Sequence, residues 1–439
     1  MSHDASSHAA LVHMEIKLAE DTFLTDDFLR QLINVGEVDI LVGLPTHNNA
    51  KTVGSIVKTI QSGILRWFPR ERAVIINADG GSRDGTPELV TSISIDDVRR
   101  GSNPYALRTL HSISTKYASS PESPAALRTI LAAAELLQAK ACVVMSPESS
   151  SIEGEWISKL LRPIRDDGFD LVTPTYRRHR FEGLLITNLL YPMTRALYGL
   201  RLREPYAQEF GFSGRLGGEF LSQNVWDDGT AGSGIELRFT LAAITARHRI
   251  CQSFLGQKDH IERRGSDLVP ALRETVGPLF SALEPDFPVW SAVTGSQPLP
   301  TIGPDHEVLL DLVRVNRKRL REMFTTGVAE LATVFQSILS PATLAELQRI
   351  AGSGESDFEY STELWVKTVY EFAASYHQSV ISRDHIIQAL APLFRGRVLA
   401  FLMEHRNGSA EDVENGIESL CLEFERLKPY LLQMWKSRE

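Results

Sequence analysis

Cysteine is scarce in this 439-residue sequence: only Cys142, Cys251 and Cys421 are present, far apart, two of them inside apolar strand-like runs. They form no zinc-ligand spacing and no disulfide framework. Long hydrophobic runs are also lacking; the apolar stretches are short and interrupted, which argues against a bilayer span. The first residues, MSHDASSHAALVHMEIK, carry acids and histidines but no basic leader, unlike a secretory signal. Positive charge is in deficit: 46 Lys and Arg stand against 55 Asp and Glu, a net charge of −9. That excludes a general nucleic-acid binder while leaving room for a local basic site. Neither an internal repeat nor a long low-complexity segment is present. The expectation is a soluble, reduced, cytoplasmic protein with no transmembrane segment and no nucleic-acid partner.

What is present is an alternation of strand-like and helix-like segments over residues 38–260. VDILVGLP (38–45), AVIINA (73–78), ACVVM (141–145), FDLVTPTY (169–176) and RICQSFLG (249–256) read as strands. TVGSIVKTIQSGI (52–64) and PAALRTILAAAELLQA (124–139) have helical spacing. This pattern predicts an α/β fold with a mostly parallel sheet, whose ligands bind beyond the carboxyl ends of the strands. QPLPTIGP (297–304) reads as a linker, and helical periodicity follows to the end. The expected division is an N-terminal extension (1–37), an α/β domain (38–296) and an α-helical C-terminal domain (297–439).

The strand ends carry the chemistry. The first leads to Pro45-Thr46-His47-Asn48-Asn49 and the second to Asp79-Gly80-Gly81-Ser82-Arg83-Asp84-Gly85-Thr86. Taken alone, the latter also reads as a turn with a helix cap. Together, about thirty residues apart, LPTHNNAKTV and NADGGSRDGT resemble the nucleotide-sugar glycosyltransferases of the GT-A (Rossmann-like) fold. Further matches narrow the likeness to the retaining glucosyl-3-phosphoglycerate, mannosylglycerate and glucosylglycerate synthases. They are Tyr176-Arg177-Arg178 in LVTPTYRRHR, AQEFGFSGRLGGEF against a Q-P-x-G-G-E loop, Glu236 in GSGIELRFTL, and Lys258 and His260 in FLGQKDH.

The resemblance implies a hexosyltransferase that moves a hexose from a nucleoside-diphosphate sugar to a small anionic acceptor of the glycerate or 3-phosphoglycerate type. Pro45, Thr46, His47, Asn49, Asp79 and Gly80 would frame the nucleotide, with Asp79 accepting from a base N–H. Tyr176, Arg177, Arg178, Gly211, Ser213 and Gly214 would hold the acceptor, arginine being suited to carboxylate and phosphate. A second G-G-E at Gly217-Gly218-Glu219 leaves the register of that loop open. Glu236 would position the acceptor hydroxyl. A helical tail like that of the mannosylglycerate synthases implies a homodimer.

Two departures stand out. The relatives' G-K-G reads Glu122-Ser123-Pro124, which leaves Ser123, Arg128 one turn on, or the basic Arg263-Arg264 loop to face the donor diphosphate, the alternative being that metal and helix dipole meet its charge. Their D-x-D reads Ser146-Pro147-Glu148. Ser146 can still hydrogen-bond a ribose hydroxyl. Glu148 and His260 become the expected ligands of Mg2+ or Mn2+. The changed triplet leaves open a catalytically weakened, nucleotide-sugar-binding relative. A transferase of the same fold acting on lipid or polysaccharide is a further alternative.

Overall fold

The computed structural model describes residues 23–92, 109–117, 124–149, 151–226, 234–258, 268–304, 307–310, 315–354 and 357–436. Ser123, His260, Arg263 and Arg264 lie outside them. Strand β1 (Ile40–Thr46) is apolar on both faces. Ile40, Val42 and Leu44 pack with helices α2 (Val53–Trp67) and α5 (Gly154–Arg165), while Leu41 faces the opposite core. Burial on both faces is the mark of a parallel sheet covered by helices. Strands β2 (Arg72–Asp79), β3 (Thr109–Lys116) and β4 (Ala141–Val144) run parallel beside it. Register places Thr46, Asp79 and Lys116 side by side, so three strands end at one edge.

Strands β5 (Leu171–His179) and β7 (Ile250–Gln257) are parallel to each other. Strand β6 (Phe210–Ser213) lies antiparallel between β4 and β5. Short strands β8 (Thr301–Ile302) and β9 (Glu307–Leu309) pair with β7 and β5 respectively, giving the order β3-β2-β1-β4-β6-β5-β7-β8 with β9 on β5. The segment expected as a linker therefore completes the sheet: Gln252 N donates to the Pro300 carbonyl at 2.8 Å. Because β6 is reversed, its beginning, not its end, reaches the edge where the parallel strands finish.

Helices complete both faces. Helix α1 (Asp26–Val35) buries Phe28 and Leu32, and α3 (Thr86–Ser92) follows β2. On the same face as α1 lies α4 (Ala125–Leu136). A π-helical turn (Ile186–Leu190) leads into α6 (Tyr191–Tyr198). Helices α7 (Gly214–Leu221), α8 (Ile235–Thr245), α9 (Leu268–Ala282) and the single turn α10 (Phe287–Trp290) precede the tail. The tail comprises α11 (Arg317–Glu330), α12 (Ala332–Ile338), α13 (Pro341–Gly352), α14 (Thr362–Gln378), α15 (Arg383–Glu404) and α16 (Ala410–Lys436).

The tail shares one continuous apolar core with a face of the sheet. Helix α15 is long and apolar enough to cross a membrane, contrary to the expectation from run lengths, but 78% of its apolar window is buried inside the protein. Polar contacts also bind tail to sheet layer. Trp365 Nε1 donates to the Asn188 carbonyl at 2.7 Å, and Arg397 Nε to Asn188 Oδ1 at 3.1 Å. Buried Arg195 of α6 pairs with Glu418 and Glu425 of α16.

Candidate active site

The loops after β1 and β2 are stitched together by their polar side chains. Asp79 is fully buried. Its Oδ1 accepts from Thr46 Oγ1 at 3.0 Å and Ser82 Oγ at 2.5 Å; its Oδ2 accepts from Gly81 N at 3.0 Å and Ser82 N at 2.8 Å. Four donors use the lone-pair directions a carboxylate offers. Asp79 therefore holds the loop rather than presenting an acceptor to a base, and it does not border the adjoining cavity. Asn49 Oδ1 accepts from His47 N at 2.7 Å, Asn48 N donates to Ser82 Oγ at 2.8 Å, and Asn49 N donates to Thr86 Oγ1 at 2.9 Å. Asp84 is held below the usual carboxylate range by the Thr86 hydroxyl, then by the Ala50 amide. His47 Nδ1 stands 3.1 Å from the Gly80 carbonyl, which can only accept, so that nitrogen carries the proton. A Cβ at Gly80 would lie 2.8 Å from Tyr117 Oη, so any larger residue there displaces the phenol.

A cavity of about 330 Å³ opens from this loop across the strand edge. Pro45, Thr46, His47 and Asn49 form one end with Tyr117, whose phenol is pushed up to about 12 by burial and by Asp79. Ser146, Pro147 and Glu148 form the floor, and Glu236 and Glu274 the far wall. The triplet is anchored by Thr52 Oγ1 donating to the Pro147 carbonyl at 2.6 Å, while Ser146 Oγ accepts from Glu148 N at 3.4 Å. Glu148 itself is exposed to the cleft. Glu236 opens α8 behind Gly234, whose φ of 72° and close approach to the Glu274 carbonyl exclude a side chain. Desolvation raises the Glu236 carboxyl above its ordinary range, and the Glu274 charge adds to it. No lysine or arginine is among the described residues lining this cavity.

A second cavity of about 270 Å³ adjoins the first, sharing Glu148, Tyr206, Gln208 and Glu274. Arg178, Lys258 and Glu182 border it, over an apolar patch of Leu185, Ile186 and Leu190. Behind it, Tyr176 is buried and donates to Glu209 Oε2 at 2.6 Å. Lys258 Nζ donates to the same oxygen at 2.7 Å, and Arg178 pairs with Glu204 at 2.9 Å. Both cations sit 4.9 Å from the Tyr176 ring centre. Burial raises the Glu204 carboxyl, an effect that Arg178, Lys258 and Arg203 counter.

The structure thus brings Pro45, Thr46, His47, Asn49, Ser146, Glu148, Glu236 and Arg178 to one cleft, and it separates others. Arg128 lies over Phe23 at 4.3 Å and Trp226 at 5.8 Å and is not among the described residues lining either cavity. Arg177 borders neither cavity and pairs with Glu307. Tyr176 supports the two cations from behind. Ser213 and Gly214 are at the opposite end of the sheet because β6 is reversed, and Gly211 is enclosed within it opposite Val143. Ser213 pairs with Ala141 at the start of β4 and caps α7. A Cβ on Gly211 would meet the Leu160 carbonyl at 2.3 Å, and one on Gly214 the Ala139 carbonyl at 1.9 Å. The residues that reach the cleft from this segment are Tyr206 and Gln208, in Glu204-Pro205-Tyr206-Ala207-Gln208-Glu209. Pro205 and Glu209 suit the Q-P-x-G-G-E pattern directly, a signal present in the sequence. Glu274, midway along α9, carries no local signal.

Among the described residues no cluster of three or more His, Cys, Asp or Glu could hold a metal ion. The chemistry of the wall nonetheless suits Mg2+ or Mn2+, which is often held by one or two carboxylates together with substrate phosphates. Glu148 is one exposed carboxylate at the strand end; the described walls of the first cavity hold no cationic side chain, and Arg178 and Lys258 border the second, which Glu148 shares.

No protein-family model matches the sequence, and no curated protein matches it. Among solved structures, the chain is similar to glucosyl-3-phosphoglycerate synthase of Mycobacterium tuberculosis. The form in complex with Mn2+, UDP and glucosyl-3-phosphoglycerate has 20% identity and a TM-score of 0.41, over 56% of this chain and 79% of that one. The form with Mn2+, UDP-glucose and phosphoglyceric acid has 19% identity and a TM-score of 0.41 over the same shares. The form with Mg2+ and UDP has 19% identity and a TM-score of 0.41, over 58% and 82%.

Proposed function

We propose that the chain is a retaining hexosyltransferase that takes a hexose from a nucleoside-diphosphate sugar and passes it to a hydroxyl of a small acceptor. The observation that carries this reading is the pair of adjoining cavities at the carboxyl edge of the sheet, meeting at Glu148, Tyr206, Gln208 and Glu274. A two-substrate transfer needs two sites that share one wall, and open α/β sheets bind ligands at this edge. The motif resemblance at Pro45–Asn49 and 79–86 supports a nucleotide in the first cavity.

In this reading the β1 loop and Tyr117 hold the base and ribose. The diphosphate lies over Ser146 to Glu148, with Glu148 holding Mg2+ or Mn2+ and His260 proposed as its second ligand. When bound, the metal ion supplies positive charge to the departing diphosphate. Glu236 takes a hydrogen bond from the acceptor hydroxyl and holds it against the anomeric carbon, so rate comes mainly from orientation. Burial, with the Glu274 charge adding to it, raises the Glu236 carboxyl, so Glu236 orients the hydroxyl while the hydroxyl proton leaves with the departing diphosphate.

The test is a screen of UDP-, GDP- and ADP-hexoses against small hydroxylated acceptors with Mn2+ or Mg2+. Glycosides are detected by mass spectrometry and their anomers assigned by NMR. An α-linked product from an α-linked donor is expected. A β-linked product would overturn retention, and release of no glycoside from any donor would overturn the reading.

A further inference from the structure

We propose that the helical tail shapes the second cavity through two positioning residues, Trp365 of α14 and Arg397 of α15; the inference rests on the transferase reading above. No tail residue is among the described residues lining either cavity. The tail reaches the second cavity through a segment that rests on it, residues 178–190. That segment gives the cavity Arg178, Glu182, Gly183, Leu185, Ile186 and Leu190.

The segment ends in the π-helical turn Ile186–Leu190, where Tyr191 N donates to the Ile186 carbonyl five residues back. Single π turns are rare and frequent at functional sites. This one draws partners from the tail. Pro192, four residues after Asn188, has no N–H to give the Asn188 carbonyl. Trp365 Nε1 supplies the donor at 2.7 Å. The Asn188 side chain is fully buried, and its Oδ1 accepts from Arg397 Nε at 3.1 Å. The guanidinium is itself fixed: Nη1 and Nη2 donate to Glu404 at 3.0 and 3.1 Å, and Nη1 also donates to the Tyr360 carbonyl at 3.4 Å. A buried carbonyl or amide left without its partner is costly, so the turn keeps this form only while the tail stands behind it.

The same segment touches both tail and cavity. Ile186 borders the cavity and also packs on the cluster of Tyr191, Phe401, Ile417 and Cys421. Upstream, Arg180 Nη1 donates to the His405 and Gly408 carbonyls just past α15, at 3.2 and 3.1 Å, which fixes the loop carrying Glu182 and Gly183. The nucleotide end of the first cavity has a different support, since the β1 loop is held there by Gly80, Ser82 and Thr86 of the β2 loop. Loss of a tail contact therefore moves the second site and spares the nucleotide end of the first.

The experiment measures donor and acceptor KM separately on the full chain with Mn2+. UDP-, GDP- and ADP-glucose serve as donors, and glycerate, 3-phosphoglycerate, glucose and mannose as acceptors. Trp365→Phe keeps a ring in place and removes the donor to the Asn188 carbonyl; Arg397→Met keeps the stem and removes the donor to Asn188 Oδ1. Each is expected to raise acceptor KM at least threefold while donor KM stays within twofold. A smaller rise in acceptor KM, or a donor KM that rises in step as a general loss of packing would give, overturns the inference. If Arg397→Met does not fold, Trp365→Phe decides alone. Transfer by the unaltered chain to none of the four acceptors instead removes the transferase reading beneath it.

Discussion

Asp79 stands where a ligand-binding acid is expected, and its surroundings show a different use. Four hydrogen bonds from Thr46, Gly81 and Ser82 converge on it in the dry interior. Asp79→Ala leaves the Gly81 and Ser82 amides without their acceptor. It should destabilise the fold by about 2 kcal/mol, the scale of a hydrogen bond to a charged group. Chemical denaturation measures this; a loss below about 0.5 kcal/mol would show that the loop does not depend on the carboxylate. The sequence marks the acid but not its neighbours in space: Thr46 and Ser82 reach it only because β1 and β2 end in register. The surroundings of Arg128 are hidden for the same kind of reason. Helical position is legible, but where the Arg128 side chain goes depends on Phe23 and Trp226, each about a hundred residues away in the chain.

Strands β1, β2, β4, β5 and β7 are apolar enough on both faces to be read from the sequence within a few residues. Strand β3, at the sheet edge, mixes His111, Ser112 and Ser114 with Leu110 and Ile113 and carries no comparable signal. Strand β6 is four residues long, and its antiparallel direction is decided by the sheet around it. That direction moves Gly211 to Gly214 away from the cleft and brings residues 204–209 to it. Gly214→Ala should lower stability by about 3 kcal/mol, since a Cβ would be driven into the Ala139 carbonyl. The folded fraction should keep its acceptor KM. A raised KM with unchanged stability would return this segment to the acceptor site. Beyond 300, helical periodicity marks the tail well, yet Glu307–Leu309 is a strand because β5 runs on beyond its two-residue pairing with β6 and offers it an edge.

The tail shares its core with the sheet layer, and the joint contains ionisable groups whose state depends on pH. Lys428 of α16 is buried and donates to the Val293 carbonyl at 2.5 Å and the Ala196 carbonyl at 3.3 Å. Burial lowers its pKa to about 8, against a smaller opposing effect of Glu425. Below that value both folded and unfolded chains hold the proton, and the cost of burying it is present in full. Between about 8 and 10.5 the unfolded chain keeps a proton that the folded one has lost, so this contribution to stability rises with pH. Lys428→Met should remove that rise from a plot of Tm against pH. An unchanged slope would place the titrating group elsewhere.

The account as a whole rests on the first cavity being a metal-assisted nucleotide site, and calorimetric titration of UDP, GDP and ADP measures that directly. With Mn2+ present the chain should bind one of the three, and affinity should fall at least tenfold either without the metal or in Glu148→Ala. Absence of binding for all three nucleotides, or binding indifferent to both the metal and Glu148, would contradict it.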